Sequence, residues 1–259
     1  MPTSLSIPQV LILAVVQGLT EFLPVSSKTH LLFARHFMGK EPDLFFDVSL
    51  HVGSLLALLI YYRRAWFGLL RERRREIPLL VVGTLPAVVA ALLFKKQVMI
   101  LYGNLVLASG LLLVTAAWLF VAERFGRERF GLLEAPWWKA LLVGLAQSCA
   151  LLPGISRAGS TIGMGFLGGL KRADAVRFSF FLGAIAILGA AVLEGRGMLK
   201  GEATFQPLPI MIGVSVTFAV SLAAIKAVEI LSLKGRFSLF ALYCAVVGVA
   251  GLVYFSTRG

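Results

Sequence analysis

Leu23-Pro24-Val25-Ser26-Ser27-Lys28-Thr29-His30 and Leu152-Pro153-Gly154-Ile155-Ser156-Arg157-Ala158-Gly159-Ser160-Thr161 are polar, proline-containing tracts set in the middle of apolar stretches. Without them, residues 8–37 and 137–170 would read as two long helices. Proline removes a backbone donor and clashes with the preceding turn, so each stretch breaks there. Each half is too short to cross a bilayer core, which takes about 20 helical residues. A helix–break–helix that enters and leaves on one side fits, provided that its exposed backbone lines a cavity and does not meet lipid.

The rest of the chain supplies the membrane. Of 259 residues, 58% are hydrophobic and the mean hydropathy is +0.88, against about 45–50% apolar residues in a soluble domain. The excess lies in runs such as Leu105–Val121 and Met211–Ile225. Six spanning helices are predicted, at about 47–62, 78–95, 104–122, 176–194, 209–226 and 238–255. Runs repeated this often in a short chain argue against the buried helices of a soluble protein. The fold class is therefore all-α and polytopic, with six transmembrane helices and two re-entrant segments. Leu5–Val16 has no basic stretch before it and no small-residue cleavage site after it, so no cleavable signal is expected. The net charge of +12 favours anionic partners. Its basic residues sit in short loops between apolar runs, which points to lipid head groups and topology signals and away from nucleic acid. Cys149 and Cys244 lie in apolar surroundings and read as packing residues.

The two broken segments resemble halves of a repeat, about 1–125 and 126–259 within one membrane domain. Each begins with Gly-Leu (Gly18-Leu19, Gly144-Leu145), reaches Leu-Pro and a serine-rich tip, and is followed by a Phe-rich helix start (Phe45-Phe46, Phe178–Phe181). Three spanning helices follow each segment, and an odd number inverts the second copy. Broken helices at corresponding places in two halves point to a binding site near the midplane. Sixteen of the 25 basic residues, in Arg63–Arg75, Arg124–Lys139, Lys171–Arg177 and Lys226–Arg236, fall on one face; eight fall on the other, and Arg157 is assigned to the interior. The richer face is expected to be cytoplasmic, with both termini outward.

Ionisable groups at membrane depth are costly and usually functional. Gln17 and Glu21 are four apart and share a helix face. Ser26, Ser27, Lys28 and His30 follow the first break; the second supplies Gly154, Ser156, Arg157, Ser160 and Thr161. If the tips meet, one pocket holds a carboxylate, an imidazole, a guanidinium, hydroxyls and two helix N-termini. That set suits a phosphate ester or anhydride: helix N-termini and glycine turns bind oxyanions, and arginine grips phosphate as a fork. Glu21 could hold a divalent cation that also bridges phosphate oxygens. Ser27 or His30 could attack phosphorus, or His30 could move protons. Plainer roles stand beside these. Ser26, Ser160 and Thr161 taken singly read as hydroxyls bonded to their own backbone, and Arg157 alone could snorkel. Asp47 and His51 either reach the cavity or cap a helix. Glu194 and Glu229 read as solvated helix ends, and Arg71–Arg75 as a cytoplasmic loop.

At these residues the sequence resembles the undecaprenyl-diphosphatase family, the bacitracin-resistance phosphatases. The family's Glu/Gln-x-x-x-Glu motif is matched by Gln17 and Glu21, and its Phe-Leu-Pro-Val-Ser-Ser segment by Phe22–Ser27, with His30 after it. Pro153, Gly154, Ser156, Arg157 and Thr161 match its second motif, and Phe46–Gly53 matches a Phe-Asp-Val…His-x-Gly stretch. The resemblance covers essentially the whole chain. It implies hydrolysis of a polyprenyl (C55) diphosphate to the monophosphate carrier used for cell-wall precursors, with help from a divalent cation, Mg2+ or Ca2+. It also implies an inverted-repeat fold in the bacterial inner membrane, a site open to the outer side, and contact with membrane lipids, with a homodimer as a candidate assembly. Glu21, with Gln17, would handle metal or protons. Ser27 and His30 would be the nucleophile candidates. Arg157 would clamp phosphate, with Ser156 and Thr161 supporting it. Four features depart from the pattern: Gln17 is uncharged, Lys28-Thr29 stands for Thr-Gly, Ala158 replaces a serine, and Leu182–Ile187 lacks a proline. The rival from another class is a transporter or flippase for a polyprenyl phosphate, since broken helices in inverted repeats also build carriers. A carrier has no need of a Ser/His pair, and a scaffold no need of charges at this depth.

Overall fold

The computed structural model describes residues 5–199 and 207–257, with backbone alone at Leu44 and at 194–199. Glu194 and Arg196 thus lie outside the described side chains, and Lys200 and Arg258 outside the described residues. The described chain is helical and forms no strand. The first interrupted segment is α1 (Ile7–Thr20) and α2 (Ser27–Phe37). Next come α3 (Leu44–Tyr61), α4 (Arg63–Arg71), α5 (Ile77–Leu93), α6 (Lys95–Tyr102) and α7 (Leu105–Phe125). The second interrupted segment is α8 (Trp137–Cys149) and α9 (Arg157–Leu167), followed by α10 (Arg172–Leu199), α11 (Pro207–Leu233) and α12 (Ser238–Ser256).

Both breaks fall where the prolines place them. Five helices are long and apolar enough to cross a membrane, and α3 makes six when taken with α4, toward which it bends by 68°. The protein is a multi-pass membrane protein. Its outward surface carries exposed apolar side chains such as Leu93 (67%) and Ile100 (80%), as a lipid-facing surface requires. Two short helices, α4 and α6, add to the six expected spans. Amphipathic α4 fills most of the stretch between the first two expected spans, a 3-10 turn at Arg74–Glu76 overlaps the end of the Arg71–Arg75 loop, and α6 prolongs the chain past the expected end of α5.

Helix starts follow local chemistry. Asp43 accepts from Phe46 N at 2.9 Å to cap α3, and Asn104 accepts from Leu107 N at 2.8 Å to cap α7. Packing relies on small residues, because lipid gives helices no hydrophobic reason to associate. A Cβ on Gly18 of α1 would meet Val220 and the Thr217 carbonyl of α11, where Thr217 Oγ1 donates to Ala14 O at 3.1 Å. Gly144 of α8 presses in the same way on the Gly83 carbonyl of α5. Thus α1 lies along α11 and α8 along α5, while α7 packs on α12 and α3 on both α10 and α11.

Loops assigned to the basic face are tied together. Arg172 pairs with Glu123 (2.8 Å), Arg177 with Glu76 and Asp174 (3.0 Å each), and Phe237 N donates to Glu123 at 3.0 Å. Glu229, expected to be solvated, is half-buried and accepts from Tyr61 (2.7 Å) and Tyr62 (3.3 Å). Toward the other face lies Arg35, one of the eight basic residues that the charge count places in loops there. It is buried instead, paired with Asp47 at 2.6 Å and donating to Glu41 O at 3.1 Å. Asp47→Ala strands that guanidinium and is expected to cost about 3–5 kcal/mol of stability. Thermal unfolding in detergent reads the loss, and Arg35→Met combined with Asp47→Leu should recover most of it. Equal melting of Asp47→Ala and the unsubstituted protein would contradict a stabilising pair.

Candidate active site

The first break is a strained turn. After Pro24, Ser26 adopts φ 69°, ψ 89°, and among the described residues it alone has positive φ without being glycine. Such a conformation costs on the order of 1–3 kcal/mol and persists only when its surroundings hold it. Two side chains of α2 do so: His30 Nδ1 lies 2.8 Å from Ser26 O, and Thr29 Oγ1 lies 3.1 Å from Ser26 Oγ. The turn opens α2 at Ser27 and directs its hydroxyl to Glu21 Oε2 at 2.8 Å. Glu21 caps the C-terminal end of α1, and Gln17 one turn earlier donates through Nε2 to Glu21 Oε2 at 3.0 Å.

The second break is anchored to α7. Gly154 has φ 96°, and a Cβ there would strike Ala108 O and Leu111, so only glycine lets the backbone approach α7 this closely. Thr115 Oγ1 donates to Gly154 O (2.7 Å) and accepts from Ser156 N (3.2 Å). Ser156 Oγ then caps α9 by accepting from Gly159 N at 3.0 Å. Arg157, the first residue of α9, reaches back across the junction. Its Nη2 donates to Glu21 Oε1 at 2.8 Å and its Nη1 to Ser179 O of α10 at 3.4 Å. Thr161 steadies the same place, 2.6 Å from Ser179 Oγ. Gly183 of α10 lies against the guanidinium, which fills the space where a Cβ would stand.

Glu21 is the meeting point. Gln17, Ser27, Arg157 and His51 all donate to its carboxylate, His51 through Nε2 at 3.2 Å. Of the two readings of His51, site residue or helix cap, the contact with Glu21 favours the first. Its Nδ1 lies 2.7 Å from Asp47 O, so both ring nitrogens face oxygen acceptors. Asp47 turns instead to Arg35, and Asp43 is the helix cap. Lys28 bridges the two breaks by donating to Ala150 O (3.3 Å) and Leu151 O (3.2 Å), carbonyls at the C-terminal end of α8 that favour a cation.

Of the residues singled out in the sequence, Gln17, Glu21, Ser27 and Arg157 converge. Ser26, Gly154, Ser156 and Thr161 shape the turns that present them, and Ser160 is buried in the first turn of α9. His30 makes no contact with Glu21 or Arg157. Its Nε2 lies 2.8 Å from Tyr243 OH, and the two rings stack at 5.6 Å with 15° between planes. His51 is the site residue that spacing alone could not assign. Its signal in the sequence is a histidine four residues after Asp47 at the start of a spanning helix.

For a divalent cation, the donors are the Glu21 carboxylate and Gln17 Oε1, which is buried and without a hydrogen-bond partner. Among the described residues no three His, Cys, Asp or Glu side chains are grouped to cage a metal. Two oxygen donors would suit a cation that shares a substrate's phosphate oxygens, as Mg2+ sites with few protein ligands do.

Fold and site together define a class: a polytopic all-helical membrane protein in which a serine, a carboxylate and a guanidinium meet where two interrupted helices join. The chain belongs to the family described as bacitracin resistance protein BacA, whose profile matches residues 10–250. It is similar to curated proteins named undecaprenyl-diphosphatase. That of Desulfosudis oleivorans is 39% identical over 262 residues, covering 93% of this chain and 95% of the relative. Those of Rhodopirellula baltica and Korarchaeum cryptofilum are 41% and 35% identical, over 93% and 95% of this chain and 95% and 98% of theirs.

Gly183→Ala tests the packing behind Arg157. The added methyl displaces the guanidinium, and misplacement by about 1 Å can cost a hundredfold in rate. Activity on a lipid diphosphate is expected to fall by about that factor with little change in melting. Full activity would show that Arg157 does not need this position.

Proposed function

We propose that the protein hydrolyses a polyprenyl diphosphate, of the undecaprenyl class named for its relatives, to the monophosphate and inorganic phosphate. The observation that carries this reading is the Glu21 carboxylate, met by Ser27 from one broken helix and Arg157 from the other, each at 2.8 Å. A nucleophile hydrogen-bonded to a base and flanked by a phosphate-binding fork is what phosphoryl transfer needs.

In this reading Ser27 Oγ attacks the terminal phosphorus as its proton passes to Glu21. The bridging P–O bond breaks, its electrons leave with the prenyl monophosphate, and water then hydrolyses the phosphoserine. Arg157 and the N-termini of α2 and α9 balance charge on the phosphoryl oxygens. His30, with both nitrogens engaged, braces the serine turn and leaves attack to Ser27. Gln17 and Glu21 would hold the divalent cation, which supplies charge neutralisation across the phosphate oxygens when bound. His51 orients the carboxylate.

The same reading includes the inverted repeat. The reciprocal packing of α1 on α11 and α8 on α5 supports two equivalent halves that exchange partners. It also takes the basic face as cytoplasmic and the membrane as the bacterial inner membrane, so that the pocket serves the outer side. The monophosphate it releases is the lipid carrier used in cell-wall synthesis.

Phosphate release from prenyl diphosphates of several lengths, with and without chelator, tests the proposal. Ser27→Ala should lose about a hundredfold or more while melting normally, Arg157→Ala should lose as much and also melt lower because Glu21 is left buried without its partner, and chelator should depress the rate. Movement of a lipid phosphate across vesicles without phosphate release would contradict hydrolysis in favour of a carrier. Undiminished turnover in both variants would remove the site.

A further inference from the structure

Helix α12 contributes nothing to the Glu21 cluster, yet two consecutive residues of it grip the first break. Cys244 Sγ donates to Pro24 O at 3.6 Å, and Tyr243 OH lies 2.8 Å from His30 Nε2. A neutral imidazole has one donor and one acceptor nitrogen. Ser26 O only accepts, so the proton sits on Nδ1. Nε2 is then a lone pair, and the Tyr243 hydroxyl is the donor that fills it. The stacked rings fix the plane of the imidazole. His30 in turn holds the carbonyl of Ser26, which also accepts from His30 N at 3.3 Å.

We propose that Tyr243 is a positioning residue of the hydrolytic site, its phenol fixing the tautomer and plane of His30 and, through His30, the left-handed Ser26 turn that presents Ser27. The chain of contacts runs from α12 to the nucleophile: Tyr243 OH to His30 Nε2, His30 Nδ1 to Ser26 O, Ser27 Oγ to Glu21 Oε2. Each link is 2.8 Å long. Tyr243 is also 44% exposed on the lipid side of α12, where an aliphatic residue would suffice for membrane contact alone. A turn with φ of 69° relaxes unless held. Loss of the phenol leaves Nε2 without its donor, frees the ring to turn and lets Ser27 wander from Glu21. The effect falls on the chemical step and spares substrate binding, because Tyr243 touches neither Arg157 nor Glu21.

This inference rests on the hydrolytic reading of the pocket, and the experiment separates the two. Tyr243→Phe keeps the ring and removes the hydroxyl. With a prenyl diphosphate substrate, kcat is expected to fall about tenfold and KM to stay within twofold. In 15N NMR of histidine-labelled protein in detergent, the unsubstituted chain should show His30 protonated on Nδ1 with a hydrogen-bonded Nε2. In Tyr243→Phe the Nε2 resonance should move to its unbonded position. A kcat within twofold of the unsubstituted value, or a fall in kcat with unchanged His30 resonances, would overturn the proposal. So would a proton found on Nε2 in the unsubstituted protein, a result that does not depend on any variant folding. Failure of the unsubstituted protein to release phosphate would sink the hydrolytic reading itself. The spectrum alone would then judge the brace.

Discussion

The ion pair between Glu21 and Arg157 is the contact on which the rest of the structure turns. A carboxylate and a guanidinium 136 residues apart meet at 2.8 Å inside an apolar protein, and neither could remain there alone. Desolvating one charge without a partner costs several kcal/mol. The pair is tolerable because further hydrogen bonds fill what it leaves open: Ser27, Gln17 and His51 on the carboxylate, Ser179 O on the guanidinium. These are also the groups a phosphoryl substrate would engage. The network that makes the buried pair tolerable therefore also fixes Ser27 and Arg157 in place.

Several costs elsewhere serve this junction. Ser26 is held in a left-handed conformation so that α2 can begin with Ser27 facing Glu21. Gly154 gives up a side chain so that the second break can rest on α7, and Gly183 does so to leave room for the guanidinium. The remaining helices behave as scaffolding. Glycines and hydroxyls on α1, α5, α8 and α11 allow close packing, and ion pairs at the basic face knot the helix ends together. Lys28, where the family resemblance leads one to expect threonine, joins the two breaks through the carbonyls of Ala150 and Leu151. Its cation thus has a structural use at the end of α8.

Much of this was legible in the residues. The prolines at 24 and 153 mark interruptions that hydrocarbon forbids unless a cavity receives them, and both breaks lie there. Glu21 and Arg157 stand out as charges in apolar runs. What the sequence could not supply is direction. His30 and His51 both lie near polar residues, yet one ring turns to Tyr243 and the other to Glu21, a difference set by helix rotation and by partners more than 200 residues away in the first case. Arg35 and Glu229 read as solvated from sequence because their partners, buried Asp47 and the half-buried Tyr61 and Tyr62, are brought to them by tertiary packing. Helix α4 is too short to stand out as a span and has arginines at both ends, and its apolar face is fixed by packing, with Trp66 stacked on Phe181 at 4.0 Å.

The central claim is that the two interrupted helices are energetically joined through Glu21 and Arg157. A double-mutant cycle on unfolding free energy, with Glu21→Gln, Arg157→Gln and the double variant, measures that join directly. Coupling of about 1–3 kcal/mol is expected for a desolvated pair in direct contact. Losses that add to within about 0.5 kcal/mol, as for residues that do not touch, would contradict it.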